Sequence, residues 1–275
     1  MTAAGNRRWA QGLLNALAIV VVLLFMLPIV ALLVVAFQES AQLFTREGFV
    51  LQPTFENFQR AFATRRFDRY IVNSLVVAGG TTVATLILGT LAAYGLARYR
   101  FKARDHLAFW ILSIRMMPPI AAAIPIFIVF RELGVLNTHG GLIVVHLLIT
   151  LPLAVWMLRG FFEEVPIDVE ESARIDGCSA FGVFFRITVP LSVHGIAAAA
   201  LLSFIFSWNE FLFALLLTGP ETRTLPVAIT GFIRETGILW GQMGAAGTIM
   251  LIPTALITLF MQRYLVRGLT MGAIK

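Results

Sequence analysis

The sequence predicts an all-α integral membrane protein of six transmembrane helices, with a cytoplasmic helix–turn–helix loop between the fourth and the fifth. Three observations predict it. Hydrophobic residues make up 59% of the 275 residues and charged ones only 13%, with a mean hydropathy of +0.86. Soluble domains run to about 45–50% apolar and about 25% charged, so a soluble core could not hide this excess. Six apolar runs are each long enough to cross a bilayer. The linker over 160–190 is acidic and carries its own helix caps, unlike the others. The whole chain, 1–275, reads as one transmembrane domain, with 160–190 as its loop.

A spanning helix needs roughly 20 apolar residues, because each adds about 1.5 Å against about 30 Å of hydrocarbon. The runs lie at about 13–37, 71–97, 107–130, 140–158, 191–217 and 244–262. The third contains Arg115 and the fifth Glu210. The first follows Arg7 and Arg8, as a signal peptide would, but it far exceeds the ~7–15 residues of a signal core. It reads as a retained signal-anchor.

Basic residues in short loops set orientation. Arg98, Arg100, Lys102 and Arg104 make the second linker cytoplasmic, which puts both termini inside. The outside loop of about 38–70 carries five arginines against Glu39, Glu47, Glu56 and Asp68, the weakest fit to this rule. The net charge of +6 and the pI of about 10.2 thus reflect topology signals. No basic stripe with interleaved aromatics points to nucleic acid. A single cysteine, Cys178, excludes an internal disulfide. Prolines 28, 118, 119, 125, 152 and 253 punctuate the spans and can kink them. Kinks suit a moving pore, but Pro and Gly are also simply commoner in membrane helices.

From 160 to 190 six acids face only Arg174 and Arg186. A net charge of −4 is a surface for a protein, not for phospholipid headgroups. Asp168 and Glu171 form a capping-box-like pair, so a short helix is expected over 169–176. Gly177 fits the left-handed position that ends a helix. Ser179 can cap a second helix over 180–188, on which Phe181, Phe184, Phe185 and Thr188 share one face. Pro190 is expected to end it.

Glu171-Ser172-Ala173, then Gly177, then Ile187-Thr188-Val189-Pro190 resembles the "EAA" coupling loop of ABC importer permeases: Glu-Ala-Ala, three residues, Gly, nine residues, Ile-x-Leu-Pro. The spacing matches throughout; Ser172 and Val189 are mild departures, and Asp176 matches the common Asp-Gly form. Arg115-Met116-Met117-Pro118-Pro119 is similar to the third-span Met-x-Pro segment of carbohydrate importers, and Phe206–Phe211 to their fifth-span motif. The end, Gly268–Lys275, resembles the tail of the smaller, six-helix subunit of the maltose-type family.

The resemblance implies a type I importer permease that makes half of a pore for sugars or polyols. It implies four partners: a second homologous permease, a dimeric P-loop ATPase, an extracytoplasmic sugar-binding protein, and membrane lipid. It assigns Glu171, Ser172, Ala173, Asp176, Gly177 and Pro190 to ATPase coupling. Gly272 and Lys275 would contact the ATPase too, unless the basic tail is a membrane anchor. The loop of about 218–242 would meet the binding protein. No cofactor is expected on this chain. ATP and Mg would sit on the ATPase, since neither Lys102 nor Lys275 follows a glycine as a phosphate loop requires.

Intramembrane ionisable residues are costly and point to function. Arg115 lies about nine residues into its run and Glu210 about nineteen into the next but one, so their depths differ by roughly 15 Å and no direct pair is expected. Arg115 either snorkels, pairs at a subunit interface, or touches solute. Trp208, Asn209 and Glu210 either line the path or bond between helices. His146 and His194 read as structural. A stand-alone secondary transporter of a small polar solute is the alternative, but it leaves the acidic loop unexplained.

Overall fold

The computed structural model describes residues 3–39, 53–65, 67–235 and 237–271. Gly272 and Lys275 lie outside these described residues. Two compact units emerge: 1–66 with 231–251, and 67–230 with 252–275.

In the first unit, α1 (Ala3–Phe37) and α2 (Glu56–Arg65) meet the start of a long helix, Trp240–Met271. The last carbonyls of a helix have no internal partner. Here Asn57 Nδ2 donates to Ala36 O at 3.0 Å and to Gln38 O at 2.8 Å. The Phe37 ring packs on Phe55 and Phe58. A Cβ on Gly244 would come within 3.0 Å of Ala36 N, and one on Gly247 within 3.2 Å of Leu32 Cδ1. Small residues therefore bring the two helix backbones together, as is usual between membrane helices. A two-stranded antiparallel hairpin, β1 (Ile233–Arg234) and β2 (Gly237–Ile238), departs from the all-helical expectation. Gly237, paired with Arg234, has φ +127°, a backbone conformation open to glycine and rare for other residues.

The second unit is built on α3 (Phe67–Arg98) and packs α4 (Arg104–Ser113), α5 (Pro119–Glu132), α6 (His139–Glu164), α7 (Ile167–Ile175), α8 (Ala180–Val183), α9 (Val189–Leu191), α10 (Val193–Trp208), α11 (Leu212–Leu217) and α12 (Leu225–Thr230). The Trp240–Met271 helix, α13, closes the series. Two apolar clusters hold it. One joins Ala93 and Tyr94 of α3 to Leu158 and Phe162 of α6, and reaches Phe184 and Ala199. The other joins Val77, Leu142 and Val145 to Ala123 and Phe213. Thr85 and Thr150 share a 2.6 Å hydrogen bond between α3 and α6.

Among the described residues four helices are long and apolar enough to cross a membrane: Gln11–Phe37, Phe67–Arg98, His139–Glu164 and Trp240–Gln262. Two bent pairs bring the number to six, matching the six runs if each pair is one span. The third run does not form one helix. It turns by 95° between Arg104–Met116 and Pro119–Glu132. Met117, which precedes a proline, is held extended at ψ 125°, and Pro119 starts the next helix at a position where no N–H is needed. The fifth run is also broken, at Asn209–Phe211 between Val193–Trp208 and Leu212–Leu217, and a 79° bend at its start separates Val193–Trp208 from Ala180–Leu191.

Pro190 does not end its helix as expected. The chain widens into a π-helical turn over Phe184–Thr188, runs through Pro190 to Leu191, and bends at Ser192. In a regular helix the proline ring would strike the carbonyl four residues back. The wider turn ahead of it, in which Val189 N–H reaches back to Phe184 O, is a known way to absorb an irregularity.

Gly195 of α10 packs directly against Phe161 of α6. A Cβ there would overlap Cγ and Cδ2 of Phe161. Gly195→Ala is expected to destabilise the detergent-solubilised protein by about 1–3 kcal/mol, the range for overpacking a core. An unchanged thermal midpoint would show that the ring swings aside freely.

Candidate functional site

The acidic linker folds into a helix–turn–helix. Pro166 ends α6 and occupies the N-cap position of α7, displacing Asp168 from its expected role as cap. Asp168 lies instead in the first turn with Glu170, where negative charge is favoured. Its carbonyl accepts Ser172 Oγ at 2.8 Å. At the other end Cys178 N–H donates to Ala173 O and Gly177 N–H to Arg174 O, each at 3.0 Å. This paired closure needs a left-handed residue, and Gly177 provides it at φ +89°. Ser179 Oγ then caps the second helix by accepting Gly182 N–H at 3.1 Å.

The linker presents Glu171, Ser172, Asp176, Gly177 and Pro190 on its surface, while Ala173 is turned inward. The expected aromatic face is divided. Phe184 and Thr188 are buried, whereas Phe181 and Phe185 are 70% and 60% exposed. The buried pair and the exposed pair are each spaced i, i+4, so the helix has two stripes rather than one. Ile175 is also exposed. Around the turn the exposed Ile175 lies between the exposed acids Glu171 and Asp176, a mixture suited to a protein partner, while Phe185 lines a cavity with Leu86, Ile87 and Leu91 of α3.

Sequence reasoning missed Glu170. Its side chain is buried at 1% exposure, although its neighbour Glu171 faces outward. Oε1 accepts Arg98 Nε at 2.9 Å and Thr188 Oγ1 at 2.7 Å, and Oε2 accepts the Tyr94 hydroxyl at 3.3 Å. Arg98 Nη2 reaches on to Val165 O at 2.8 Å. Arg98, read from the sequence as a topology signal, is thus half of a buried ion pair. The available clue was helical spacing: Glu170 and Ala173 fall on one side of α7 and Glu171 on the other.

Within the spans, Glu210 pairs with His146 and not with Arg115. The chain leaves α10 after Trp208, and the Glu210 carboxylate caps α11 by accepting Phe213 N–H at 2.9 Å and Ala214 N–H at 3.0 Å. His146 on α6 bridges this carboxylate, at 3.2 Å from Nε2, and Ser207 Oγ, at 2.7 Å from Nδ1. Trp208 is 1% exposed and stacks on Phe204, so its ring has no free face for a solute in this conformation. Asn209 is exposed, and its amide donates back to Ile205 O at 2.8 Å. Arg115 sits at the bend of the third run, with its guanidinium 5.1 Å from the centre of the Phe206 ring. It lines a cavity of about 130 Å³ with Ile114, Met117, Pro119, Leu148 and Phe213.

A family model described as "Binding-protein-dependent transport system inner membrane component" matches residues 85–271, which include the helix–turn–helix and both bends. The trehalose/maltose transport system permease protein MalG of Thermococcus litoralis is 36% identical over 262 residues, covering 94% of this chain and 94% of that protein. The trehalose transport system permease protein SugB of Mycobacterium tuberculosis is 37% identical over 225 residues, covering 81% of this chain and 82% of its own. A crystal structure of a bacterial ABC transporter involved in import of the acidic polysaccharide alginate superposes with a TM-score of 0.79 at 23% identity, over 96% of this chain and 99% of that one. The long apolar helices, the broken third and fifth spans and these matches agree: this chain is a multi-pass membrane permease subunit and belongs to the family of binding-protein-dependent transport system inner membrane components.

Proposed function

We propose that this chain forms half of the pore of an ATP-driven importer for sugars or polyols, and that its helix–turn–helix couples the pore to a separate ATPase. One observation carries the reading: a buried anchor holds the linker while the residues around its turn, Glu171, Ile175 and Asp176, are exposed. An exposed acidic and partly apolar surface on a rigidly held loop supports docking into a partner's cleft. The substrate class is inferred from relatives named for trehalose and maltose.

In this reading the chain is non-catalytic. A dimeric P-loop ATPase binds ATP and Mg. A second, homologous permease completes the pore, and an extracytoplasmic binding protein delivers the solute. The loop lies on the cytoplasmic side of the inner membrane, as do both termini. Closure of the ATPase dimer on ATP moves the docked loop, and the loop moves the spans. Arg115, Asn209 and Glu210 stand near the proposed path. Gly272 and Lys275 would reach the ATPase.

The test is purification of the chain from its native membranes in mild detergent, with mass spectrometry of what accompanies it. A P-loop ATPase and a second membrane protein with a similar acidic loop are expected. Recovery of the chain alone, still competent for transport in proteoliposomes, would replace this reading with a stand-alone transporter.

A further inference from the structure

We infer that Glu170 is the positioning residue that makes the helix–turn–helix and the transmembrane core move as one body, through its buried bonds to Arg98, Tyr94 and Thr188. The inference deepens the coupling role proposed above and rests on it.

A coupling element must do two things. It must present a surface to its partner, and it must transmit displacement without bending. In this linker the two tasks fall to adjacent residues. Glu171 points outward, while Glu170 points inward and bonds two other segments directly and a third through Arg98. Tyr94 and Arg98 belong to the last turn and a half of α3, Val165 follows the end of α6, Thr188 lies in the π-helical turn, and Glu170 itself is in α7. A single carboxylate therefore closes bonds across residues 18, 72 and 76 positions apart in the chain.

Apolar packing alone would not do the same. Phe184 seats the second helix beside Tyr94 and Phe162, with ring centres 4.9 and 6.4 Å away. Ring contacts of this kind tolerate sliding, because dispersion has no preferred direction. Charge-assisted hydrogen bonds are short and directional, and they fix register as well as distance. A buried ion pair is weak support for stability, since burying both charges costs about as much as their attraction returns. Its best-supported role is to specify one arrangement. Here the arrangement specified is the attachment of the loop to α3.

The experiment uses the assembled transporter and compares Glu170→Gln, the double variant Arg98→Met with Glu170→Leu, and Glu171→Lys. The readouts are permease abundance, co-purification of the ATPase, and substrate-stimulated ATP hydrolysis divided by basal hydrolysis per assembled complex. A loss of folding lowers abundance but leaves that per-complex ratio unmoved. The double variant removes both charges, so no lone buried charge remains to unfold it. It is expected to accumulate and to bind the ATPase, with stimulation and uptake reduced about tenfold. Glu170→Gln keeps an acceptor and is expected to fall between it and the parent. A double variant with full stimulation and uptake would overturn the inference, because packing alone would then transmit the motion. A double variant that fails to accumulate would also overturn it, since the pair would then serve stability. Glu171→Lys separates the two readings. If it leaves ATPase binding and uptake normal, the docking role of the loop fails. If it blocks them while the double variant behaves as the parent, only the inference about Glu170 fails.

Discussion

Gly177→Val is expected to abolish uptake while the permease still accumulates in the membrane. Gly177 sits at φ +89°, where a β-branched residue is a strong outlier. A left-handed L-residue costs roughly 1–2 kcal/mol, or about a 5- to 30-fold shift in a local equilibrium. No atom lies within 4 Å of the position a Cβ would take, so the effect is backbone strain and not collision. Relief of that strain would open the Cys178–Ala173 and Gly177–Arg174 bonds and change the angle between α7 and α8. The apolar core of the second unit does not include Gly177, which is why abundance should hold. Glu171→Lys is expected to give the same loss by a different cause, since it reverses a charge on the exposed face. Measurement of uptake against immunoblotted abundance decides the matter; normal uptake by both variants would remove the linker from the coupling route.

Glu210→Ala is expected to destabilise the protein by about 2–5 kcal/mol, because each buried group left without its hydrogen-bond partner costs about 1–3 kcal/mol. Three groups lose their partner at once: His146 Nε2, Phe213 N–H and Ala214 N–H. Water is scarce at membrane depth, so each remains unsatisfied. The loss also removes the cap of α11, and Phe213 and Ala214 belong to an apolar cluster that includes Val77 and Leu142. Glu210→Gln should recover most of the stability, because an amide oxygen still accepts from the backbone. Thermal unfolding in detergent checks this order. A Glu210→Ala protein as stable as its parent would mean that the carboxylate is not structural, and its place near the path would then carry the explanation.

These two variants also mark where local sequence stops informing. Gly177 and Ser179 were legible because their conformations are set within a few residues: one needs a backbone without Cβ, the other an oxygen reaching two or three residues on. Arg98 and Glu170 were not, because their meeting depends on how α7 docks under α3. Seventy-two positions separate them. Depth along the helix axis argued against a pair between Arg115 and Glu210, and the carboxylate is indeed turned to His146. Depth could not supply the partner, which lies on a helix separated from Glu210 by 64 positions. The bends were foreshadowed by Pro118, Pro119 and Pro190, but a proline specifies a missing donor and a steric clash, not an angle.

The sequence by itself determined the number and approximate limits of the apolar runs, since hydrocarbon thickness sets a length that composition either meets or fails. It determined the Gly177 turn and the Ser179 cap of the acidic linker, but not the cap of α7, which Pro166 takes in place of Asp168, and through motif spacing it determined the family. Tertiary structure alone decided which of two adjacent glutamates is buried, that the aromatic face of the second loop helix divides into an inner and an outer stripe, and that two of the six runs are broken. Each of those outcomes depends on which surface a segment finds against it. That surface is contributed by residues far away in the chain, and helix periodicity carries no information about it.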